Sequence, residues 1–326
     1  MTESNDGQFR IEKIWSYDNH FIDSYLRLFS DCFGVRQGYN SKWFHWFNSE
    51  APFGKNKIYC AIDNDNGKLA SAYGLLPLQA VYCGATKSCF LNTNSMTAPE
   101  YQRRGLSSQI SEYAVANEMS DFILATPNSI NTISIKNIKR VLGEPIESLQ
   151  FLQKTSFQYK IKANRDIVNI TADNIHNLQF NDEMWKKYNF HIRKDAQLFK
   201  WRYFNNPIFA YKFSAVVKDG AVVAYIVYKM FFDAENNIRK VHLVDFAYMN
   251  DDSIFRLIQD AECYALEEKA NLVNVWCHGM CENDKNMFES IGYRIADGGN
   301  VCFIHPSMNL LERKNWHFVL GDNDVF

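Results

Sequence analysis

The stretch FLNTNSMTAPEYQRRGLSSQI, at residues 90–110, decides the fold because it joins the end of a strand to the start of a helix. The strand is predicted to end near Ala98, and Pro99 stops it because proline cannot donate to a strand ladder. A helix is predicted over residues 107–119, opening at about Leu106. Farther along the chain, an apolar strand at residues 122–125 and a second helix that ends at a glycine complete a repeating unit of strand and helix.

The loop between strand and helix, residues 102–108, is predicted to bind an anion. Backbone N–H groups at a helix N-terminus have no partner within the helix, and the helix dipole is positive there. Gly105 permits close approach of a ligand or a positive φ. Small or charged side chains complete the loop and suit a pyrophosphate: Arg103, Arg104, Ser107 and Ser108. An ordinary surface turn is the alternative, which the flanking strand and helix disfavour. The missing Gly-Lys-Ser/Thr and G-x-G-x-x-G patterns exclude a Walker loop and a Rossmann fingerprint.

The spacing of Gln102, Gly105 and Ser107 fits the pattern Gln/Arg-x-x-Gly-x-Gly/Ala, with serine in place of the last small residue. This segment resembles motif A of the GNAT acyltransferase superfamily, and the preceding Thr-Ala-Pro-Glu-Tyr at residues 97–101 is also typical of that family. The resemblance covers about residues 55–155 well, and the second half of the chain only as an echo of the fold. It implies an acyl-CoA co-substrate whose acyl group is transferred to an amine.

The resemblance also implies where the cofactor lies. In GNAT folds the strand after the first helix splays away from the motif A strand, and the gap admits the pantetheine arm. Backbone groups of Met96 and Ala98 would pair with that arm, and Asn128 or Asn131 would hydrogen-bond it. A turn or helix cap is an equally weighted role for these asparagines. The predicted cofactor-binding residues are Met96, Thr97, Ala98, Gln102, Arg103, Arg104, Gly105, Leu106, Ser107, Ser108, Asn128 and Asn131.

A degenerate repeat predicts the organisation of the whole chain. Trp46 aligns with Trp201, a proline follows each at nearly the same distance, and both copies continue with a hairpin, a strand, a helix, an apolar strand and a helix. The second strand of each hairpin is predicted at residues 69–73 and 222–226. The predicted fold class is therefore α+β, with two tandem GNAT-like mixed β-sheets flanked by helices. Residues 1–162 would form the acyl-CoA domain. Residues 163–326 would form a degenerate domain, opening with a helix at 181–188, that serves as scaffold and acceptor wall. One large mixed domain with coincidental spacing is the alternative.

Only the first copy is predicted to have an intact CoA loop. The corresponding stretch of the second copy, DFAYMNDDSIF at residues 245–255, contains no glycine and carries Asp251 and Asp252 at the expected helix start. Carboxylates at that place would repel a pyrophosphate. We therefore expect one cofactor site per chain.

The catalytic residues cannot be carried over from the family. Many GNAT relatives have a glutamate on the motif A strand and a tyrosine four residues before the closing glycine. Here residues 91–94 contain no acid and Lys139 stands at the tyrosine position. Amine acylation still requires a neutral amine and an exit for its proton. The main candidates are Asn94, which would orient a water or the amine, and Asp245, which would be a base if the two copies face each other. His20 and His45 are further candidates, with a structural role as the alternative. A structural carboxylate is the alternative role of Asp245.

Composition excludes several classes of protein. Hydrophobic residues make up 47% and charged residues 22%, which is globular. The net charge of −2 lacks the basic excess of most nucleic-acid binders. No apolar run of about 20 residues and no targeting segment is evident, so a cytoplasmic location is predicted. The cysteines form no CxxC pair, and Cys277-His278-x-x-Cys281 lacks a second ligand pair, so no metal is expected.

The acceptor is inferred from resemblance alone. The tandem architecture is similar to that of bacterial GNAT enzymes of polysaccharide biosynthesis, which acylate the amino group of a nucleotide-linked amino-deoxysugar. This implies a sugar-nucleotide acceptor. Cell-wall peptide enzymes with tandem GNAT-like halves use charged transfer RNA and usually lack a pyrophosphate loop, so the loop disfavours that role. A non-catalytic CoA-binding or interaction module and an acyltransferase acting on another small amine stay open.

Overall fold

The structure is a computed structural model that describes residues 7–129, 131–145, 147–157, 166–234, 236–278, 282–305 and 315–323. The α-helices are α1 Asn19–Phe33, α2 Ser41–Ser49, α3 Leu106–Asn117, α4 Thr132–Leu142, α5 Ala196–Phe199, α6 Asp251–Glu267 and α7 Glu282–Ser290. The strands are β1 Phe9–Ile14, β2 Lys57–Asp63, β3 Leu69–Tyr82, β4 Ala85–Thr97, β5 Phe122–Ala125, β6 Glu147–Lys154, β7 Ile167–Asn169, β8 Gln179–Phe180, β9 Phe190–Ile192, β10 Lys212–Lys218, β11 Ala221–Asp233, β12 Ile238–Tyr248, β13 Leu272–His278, β14 Arg294–His305 and β15 Trp316–His317.

The first sheet runs in the order β1-β2-β3-β4-β5, with antiparallel neighbours except for the parallel pair β4 and β5. The turn between β2 and β3 contains Gly67 at φ +71°, a conformation that glycine adopts without steric cost. Helices α1 and α2 pack together on this sheet, as do α3 and α4. The sheet therefore carries the helix that follows the predicted loop.

The second sheet runs in the order β7-β10-β11-β12-β13, and β12 and β13 are again its parallel pair. Its hairpin β10–β11 turns at Asp219 and Gly220, with φ of +51° and +80°. Two successive positive φ values are typical of a type I′ turn, which matches the twist of the flanking strands. The predicted α+β class, with two mixed sheets flanked by helices, is confirmed.

The two sheets exchange their last strands. Strand β14, from the end of the chain, pairs with β5 of the first sheet, whereas β6, from the first half of the chain, pairs with β13 of the second. Strands β6 and β14 also pair with each other, so the strand order continues without a break from β1 to β7. Each sheet is therefore completed by the other half of the sequence.

A reciprocal tryptophan pair joins the segments that align in the sequence. The indole Nε1 of Trp46 on α2 donates to the carbonyl of Trp201 at 2.8 Å, and the Nε1 of Trp201 donates to the carbonyl of Trp46 at 2.9 Å. The two rings stack with centroids 5.3 Å apart, and both are buried. Such a mutual contact is the pattern expected at an approximate two-fold axis. It favours the repeat interpretation, and superposition of the two halves remains its test.

Two expectations about individual elements are corrected. Residues 181–188 do not form an amphipathic helix, because only a 3₁₀ turn at Asp182–Met184 follows the short strand β8. Strands β3 and β11 are much longer than the predicted 69–73 and 222–226. Both continue, to Tyr82 and Asp233, because the added residues pair with the next strand, β4 or β12. The predicted boundary between residues 162 and 163 lies outside the described residues. That division stays a prediction. Among the described helices, none has the length and apolarity needed to span a bilayer.

The strand exchange predicts that the halves do not fold apart. A fragment of residues 1–157 would leave β5 without β14 and β6 without both neighbours, exposing unpaired strand edges. We expect no cooperative thermal transition from that fragment and recovery of one when residues 158–326 are co-expressed. The control is the full chain with a protease site placed at residues 158–165 and cut after folding, which should melt like the uncut chain. A cooperative melt of the isolated fragment would contradict the prediction.

Candidate functional site

The predicted anion-binding loop connects the end of β4 to α3 through two left-handed residues. A 3₁₀ turn at Pro99–Tyr101 follows β4, Arg103 has φ +63°, and Gly105 has φ +77° as the residue that precedes the helix. A side chain at Gly105 would be strained by that φ whatever space it found. The glycine is therefore needed for the conformation that turns the chain into α3.

The N-terminus of α3 differs from the other described helix starts. Asp or Asn side chains accept hydrogen bonds from the first turns of α1, α2, α4, α5 and α6; these caps are Asp18, Asn40, Asn131, Asp195 and Asn250. Helix α3 begins at Gly105 and has no side-chain cap. Its first-turn N–H groups therefore have no capping side chain and point toward solvent or a ligand. This is the arrangement that binds phosphate oxygens at a helix N-terminus.

A fork opens in the first sheet beside this helix. Strands β4 and β5 pair only over three residues, ending with Leu91 opposite Leu124. Beyond that point β4 continues to Thr97 along β3, while β5 ends at Ala125 and pairs with β14 on its other side. Among the described strands, β3 alone pairs with β4 beyond Leu91, so β4 and β5 separate there, as the sequence prediction expects. The fork closes at Leu91, the last residue of β4 that pairs with β5.

The open edge of β4 contains a β-bulge. Thr93 pairs with Gly74 and Met96 with Ala72, so β4 spends one more residue than β3 between these pairs. Asn94 and Ser95 lie between these pairs and face one residue of β3. The φ of Asn94, +45°, is unusual for a residue other than glycine. A bulge leaves one residue outside the ladder and redirects its backbone. The candidate residue Asn94 thus lies in the fork, at a redirected point of the strand.

A buried polar chain supports the bulge, and the sequence interpretation missed it. The Nδ2 of Asn56 donates to the Oγ1 of Thr93 at 3.1 Å and to the Oδ1 of Asn48 at 2.8 Å. All three side chains are buried. A Cβ at Gly74 would overlap Thr93 Oγ1, so glycine is required for the close approach. The available signal was weak: a glycine inside a strand pattern, which often marks a bulge.

The two loop arginines have different surroundings. The Nη1 of Arg104 donates to Gln8 Oε1 at 3.1 Å, and its guanidinium lies 5.5 Å from the centre of the Tyr101 ring. Arg104 therefore reaches a pyrophosphate only after leaving these exposed contacts. Arg103 is also exposed and forms no ion pair within the described residues. The structure thus makes Arg103 the more available cation of the loop.

The remaining predicted residues surround the same loop. Gln102 donates to the Thr97 carbonyl at 3.3 Å, which ties the loop to the end of β4. Leu106 and Ser108 are buried, and the hydroxyl of Ser108 lies 3.4 Å from Asn137 Oδ1 on α4. Ser108 is therefore turned toward the helix packing. Ser107 is half-buried, and Met96 and Ala98 are on or next to the open edge of β4.

The two asparagines after β5 occupy the far side of the fork. The Oδ1 of Asn131 accepts from the backbone N–H of Ser134 at 3.0 Å and caps α4. Asn128 is exposed, and its carbonyl accepts from the Asn131 backbone N–H at 3.0 Å. The cap uses the carboxamide oxygen of Asn131. Its Nδ2 group remains suited to donate to a ligand in the fork, so one side chain can fill both predicted roles.

The second sheet has a similar fork, but the chain itself fills it. Strands β12 and β13 pair only as far as Leu243 opposite Val275. Beyond that pair, the ring of His317 lies 5.1 Å from Phe246 on β12, and Phe318 lies 6.4 Å from Trp276 on β13. Residues 317–321 therefore occupy the opening of the second fork. The start of α6 is capped by Asn250 and carries two exposed carboxylates. Within the described residues, the second sheet therefore lacks the open fork and the uncapped helix N-terminus of the first sheet.

Asp245 lies in a buried ionic cluster rather than in a fork that is open to solvent. Its carboxylate accepts from the hydroxyls of Tyr203 at 2.6 Å and Tyr225 at 2.9 Å, and lies 3.0 Å from Lys194 Nζ. Lys194 also contacts Asp322. Burial works against the charge of Lys194, but the two carboxylates raise its pKa above the usual value. These contacts are those of a structural carboxylate, the alternative role in the sequence interpretation.

We expect Asp245→Asn to lower the free energy of unfolding by about 1.5 to 3 kcal/mol, because it weakens the charge-assisted hydrogen bonds from Tyr203 and Tyr225 while Lys194 keeps Asp322 as its counter-ion. The turnover per folded molecule should change little. Chemical denaturation beside steady-state rates measures both quantities. Asp251→Asn, at an exposed carboxylate of α6, is the matched control and should leave stability almost unchanged. An Asp245→Asn protein of full stability that has lost turnover would restore the assignment of Asp245 as a base.

Comparison with known proteins agrees with this geometry. Residues 13–121 match a family model described as an acetyltransferase (GNAT) domain, which includes β4, the loop and α3. No curated protein sequence matches the chain. Residues 122–326 lie outside the family match.

Solved structures resemble the chain over almost its whole length. Saccharomyces cerevisiae N-myristoyltransferase with bound myristoyl-CoA has 11% identity and a TM-score of 0.63, covering 96% of this chain and 90% of that one. A probable N-acyltransferase from Enterococcus faecalis has 12% identity and a TM-score of 0.64, covering 91% and 71%. A GCN5-related N-acetyltransferase from Anabaena variabilis has 10% identity and a TM-score of 0.65, covering 90% and 72%. Such identities show a shared fold. The GNAT domain and this fold together support an acyl-CoA-dependent N-acyltransferase.

Proposed function

We propose that this protein binds acyl-CoA in the first fork and transfers the acyl group to an amine. The observation that carries the proposal is the α3 N-terminus, which follows Gly105 without a side-chain cap and opens beside the segment of β4 that lies beyond its pairing with β5. The pyrophosphate would accept from the N–H groups of residues 103–108. The pantetheine arm would lie along residues 92–97 as an additional strand, its amides pairing with the open edge of β4.

This placement leads the thioester toward the bulge. An arm that begins at the phosphates and follows β4 passes Met96 and arrives at Asn94 and Leu91, where the fork closes. Backbone groups of the bulge lie outside the ladder and are suited to polarise the thioester carbonyl. The carboxamide of Asn94 is neutral at all relevant pH values, so it would orient the amine or a water and would not remove a proton itself.

The acceptor would enter from the side of the second half of the chain. Tyr39, in the loop between α1 and α2, stacks on Phe29 at 5.0 Å. The neighbouring Gly38 approaches Ile208, because a Cβ there would lie 3.3 Å from the isoleucine side chain. The loops at residues 34–40 and 205–211 therefore meet, and both carry aromatic side chains. Aromatic side chains of this kind suit a flat or ring-shaped acceptor.

We propose the amino group of a nucleotide-linked amino-deoxysugar as the acceptor. The aromatic side chains of these two loops, and the absence of a basic excess that would favour nucleic acid, support this choice. The second candidate function is a non-catalytic CoA-binding or interaction module, and it is favoured by residues 91–94, which contain no acid on the strand. Release of free CoA thiol from acetyl-CoA in the presence of amino-sugar nucleotides and polyamines separates the two. Stoichiometric binding without thiol release would favour the module.

Replacing Gly105 with valine should abolish CoA binding. The substitution forces a β-branched residue into φ +77° and places methyl groups where phosphate oxygens would approach the N–H groups. Because the loop is exposed, the melting temperature should fall by only a few degrees, for a cost of about 1 to 3 kcal/mol. Calorimetric titration of CoA beside a thermal melt measures both effects.

Gly67→Val is the matched control for this substitution. Gly67 has nearly the same φ, +71°, lies in the β2–β3 turn, and a Cβ there would meet no atom within 4 Å. The control should show a similar loss of stability and unchanged CoA affinity. If Gly105→Val binds CoA as well as Gly67→Val does, the loop is not the cofactor site and the proposed function loses its support.

Binding should saturate at one CoA per chain. The second fork contains residues 317–321, and α6 starts with a capping Asn250 followed by two exposed carboxylates. A pyrophosphate there would have to displace the chain and approach like charges. Isothermal titration of the full chain with CoA gives the stoichiometry, and a value near two would refute this prediction.

A further inference from the structure

A buried lysine lies beneath the loop at residues 205–211, on the side where the two halves of the chain meet. Lys229 of β11 is only 2% exposed, and its Nζ lies 3.4 Å from the centre of the Phe209 ring. The centre of the Tyr211 ring is 5.6 Å from the same nitrogen. The loop therefore covers a cationic side chain with aromatic rings, which attract the cation but do not neutralise its charge.

A second buried cation lies close to Lys229. Burial lowers the pKa of Lys229 to about 7, and the positive charge of Arg202 lowers it as well. Arg202 is 4% exposed and donates to the Asn323 carbonyl, while its Nε has no hydrogen-bond partner within the described residues. Two neighbouring cations in a buried place repel each other, so an anion that contacts both would be stabilised there.

Two further polar side chains beside Lys229 are neutral. His242 is its direct partner on β12, and burial lowers the pKa of the imidazole to about 3, so the ring carries no charge at neutral pH. Burial raises the pKa of Tyr211, so its hydroxyl keeps its proton and can donate a hydrogen bond. The surroundings of Lys229 thus combine a second cation with a neutral hydroxyl donor, a combination that suits an anionic ligand.

This pair of cations lies between the loop at residues 34–40 and the first fork. After burial, Arg202 and Tyr39 are the groups that shift the pKa of Tyr211, so the three side chains are close together. Arg202 also lines a water-sized cavity together with Leu91, the residue at which the fork closes. A small molecule held at Arg202 would therefore be near a thioester that lies at the closed end of the fork.

We propose that Lys229 and Arg202 bind a phosphate group of the acceptor beneath the loop at residues 205–211. The inference rests on the proposed function, because it needs acyl-CoA in the first fork and an acceptor beside it. The Phe209 ring moves aside, and phosphate oxygens take its place against Lys229 Nζ. A charge-assisted hydrogen bond to phosphate is stronger than the cation–π contact that it replaces.

The site selects the class of acceptor. A phosphorylated or nucleotide-linked amine would place its anionic group on the two cations and leave its amino group free for the thioester. A polyamine carries further positive charges and would be repelled by Lys229 and Arg202. The cations therefore favour the sugar-nucleotide acceptor over the other small amines.

The test measures binding of inorganic pyrophosphate to the full chain already saturated with CoA, so that the loop before α3 is occupied. Isothermal titration at about pH 6, below the pKa of Lys229, compares the parent with Lys229→Met, which keeps the length of the side chain and removes its charge. We expect the variant to bind pyrophosphate at least about tenfold more weakly. It should be as stable as the parent or more so, because it removes a charged group from a buried place.

Lys212→Met is the matched control for this substitution. Lys212 lies on β10 of the same sheet, with its Nζ 5.8 Å from the centre of the Tyr264 ring, but its side chain is exposed. This variant should bind pyrophosphate as the parent does. Phe209→Ala removes the covering ring and should tighten binding by about threefold. If Lys229→Met does not fold, Phe209→Ala decides, because it changes only a partly exposed side chain.

The outcomes separate the phosphate site from the function on which it rests. A parent that binds CoA but no pyrophosphate, or equal pyrophosphate affinity of the parent and Lys229→Met, would overturn the phosphate site and leave the proposed function standing. Unchanged affinity in Phe209→Ala would do the same where that variant decides. Absence of CoA binding by the parent would overturn the proposed function, and the inference with it.

Discussion

The mutual contact of Trp46 and Trp201 is the interaction on which the rest of the structure depends. Each indole N–H is buried and needs a hydrogen-bond acceptor, and each donates to the backbone carbonyl of the other tryptophan. The pair fixes the segment before β2 against the segment before β10. Because the hydrogen bonds are reciprocal, a shift of either segment breaks both. The position of the second half of the chain against α2 follows from this contact.

The asymmetry between the two forks explains why similar elements can serve different purposes. Both sheets have a parallel pair that separates after a few residues. In the first sheet the opening leads to Gly105 and an uncapped helix, whereas in the second it holds residues 317–321 and leads to a helix capped by Asn250. The capping side chain of Asn250 already accepts a hydrogen bond from the first turn of α6, so fewer N–H groups are free to bind an anion there. The second half is therefore suited to act as a scaffold for the first half and to form a wall of the acceptor site.

Local features of the chain were predictable from the sequence, and distant pairings were not. The glycine before α3 and the Asp-Gly hairpin act through φ values of single residues, so the sequence alone indicates them. The exchange of β6 and β14 depends on pairing across about half of the chain, and no local pattern encodes which sheet receives a strand. Arg104 was expected in the loop, but its contact with Gln8 depends on β1, which is distant in sequence. Residues 181–188 have a helical pattern, yet pairing of β8 with β11 keeps the preceding segment extended.

Hydrogen–deuterium exchange of the full chain with and without CoA tests the central claim most directly, because the proposed contacts are made by backbone amides. The account predicts that saturating CoA slows exchange in residues 103–108 and along residues 92–97, with little change at the start of α6. The exposed loop residues 103–105 should exchange readily in the free protein, so the change there should be large. Protection confined to residues 249–255, or none in residues 92–108 at a concentration that saturates binding, would contradict the assignment of the first fork as the cofactor site.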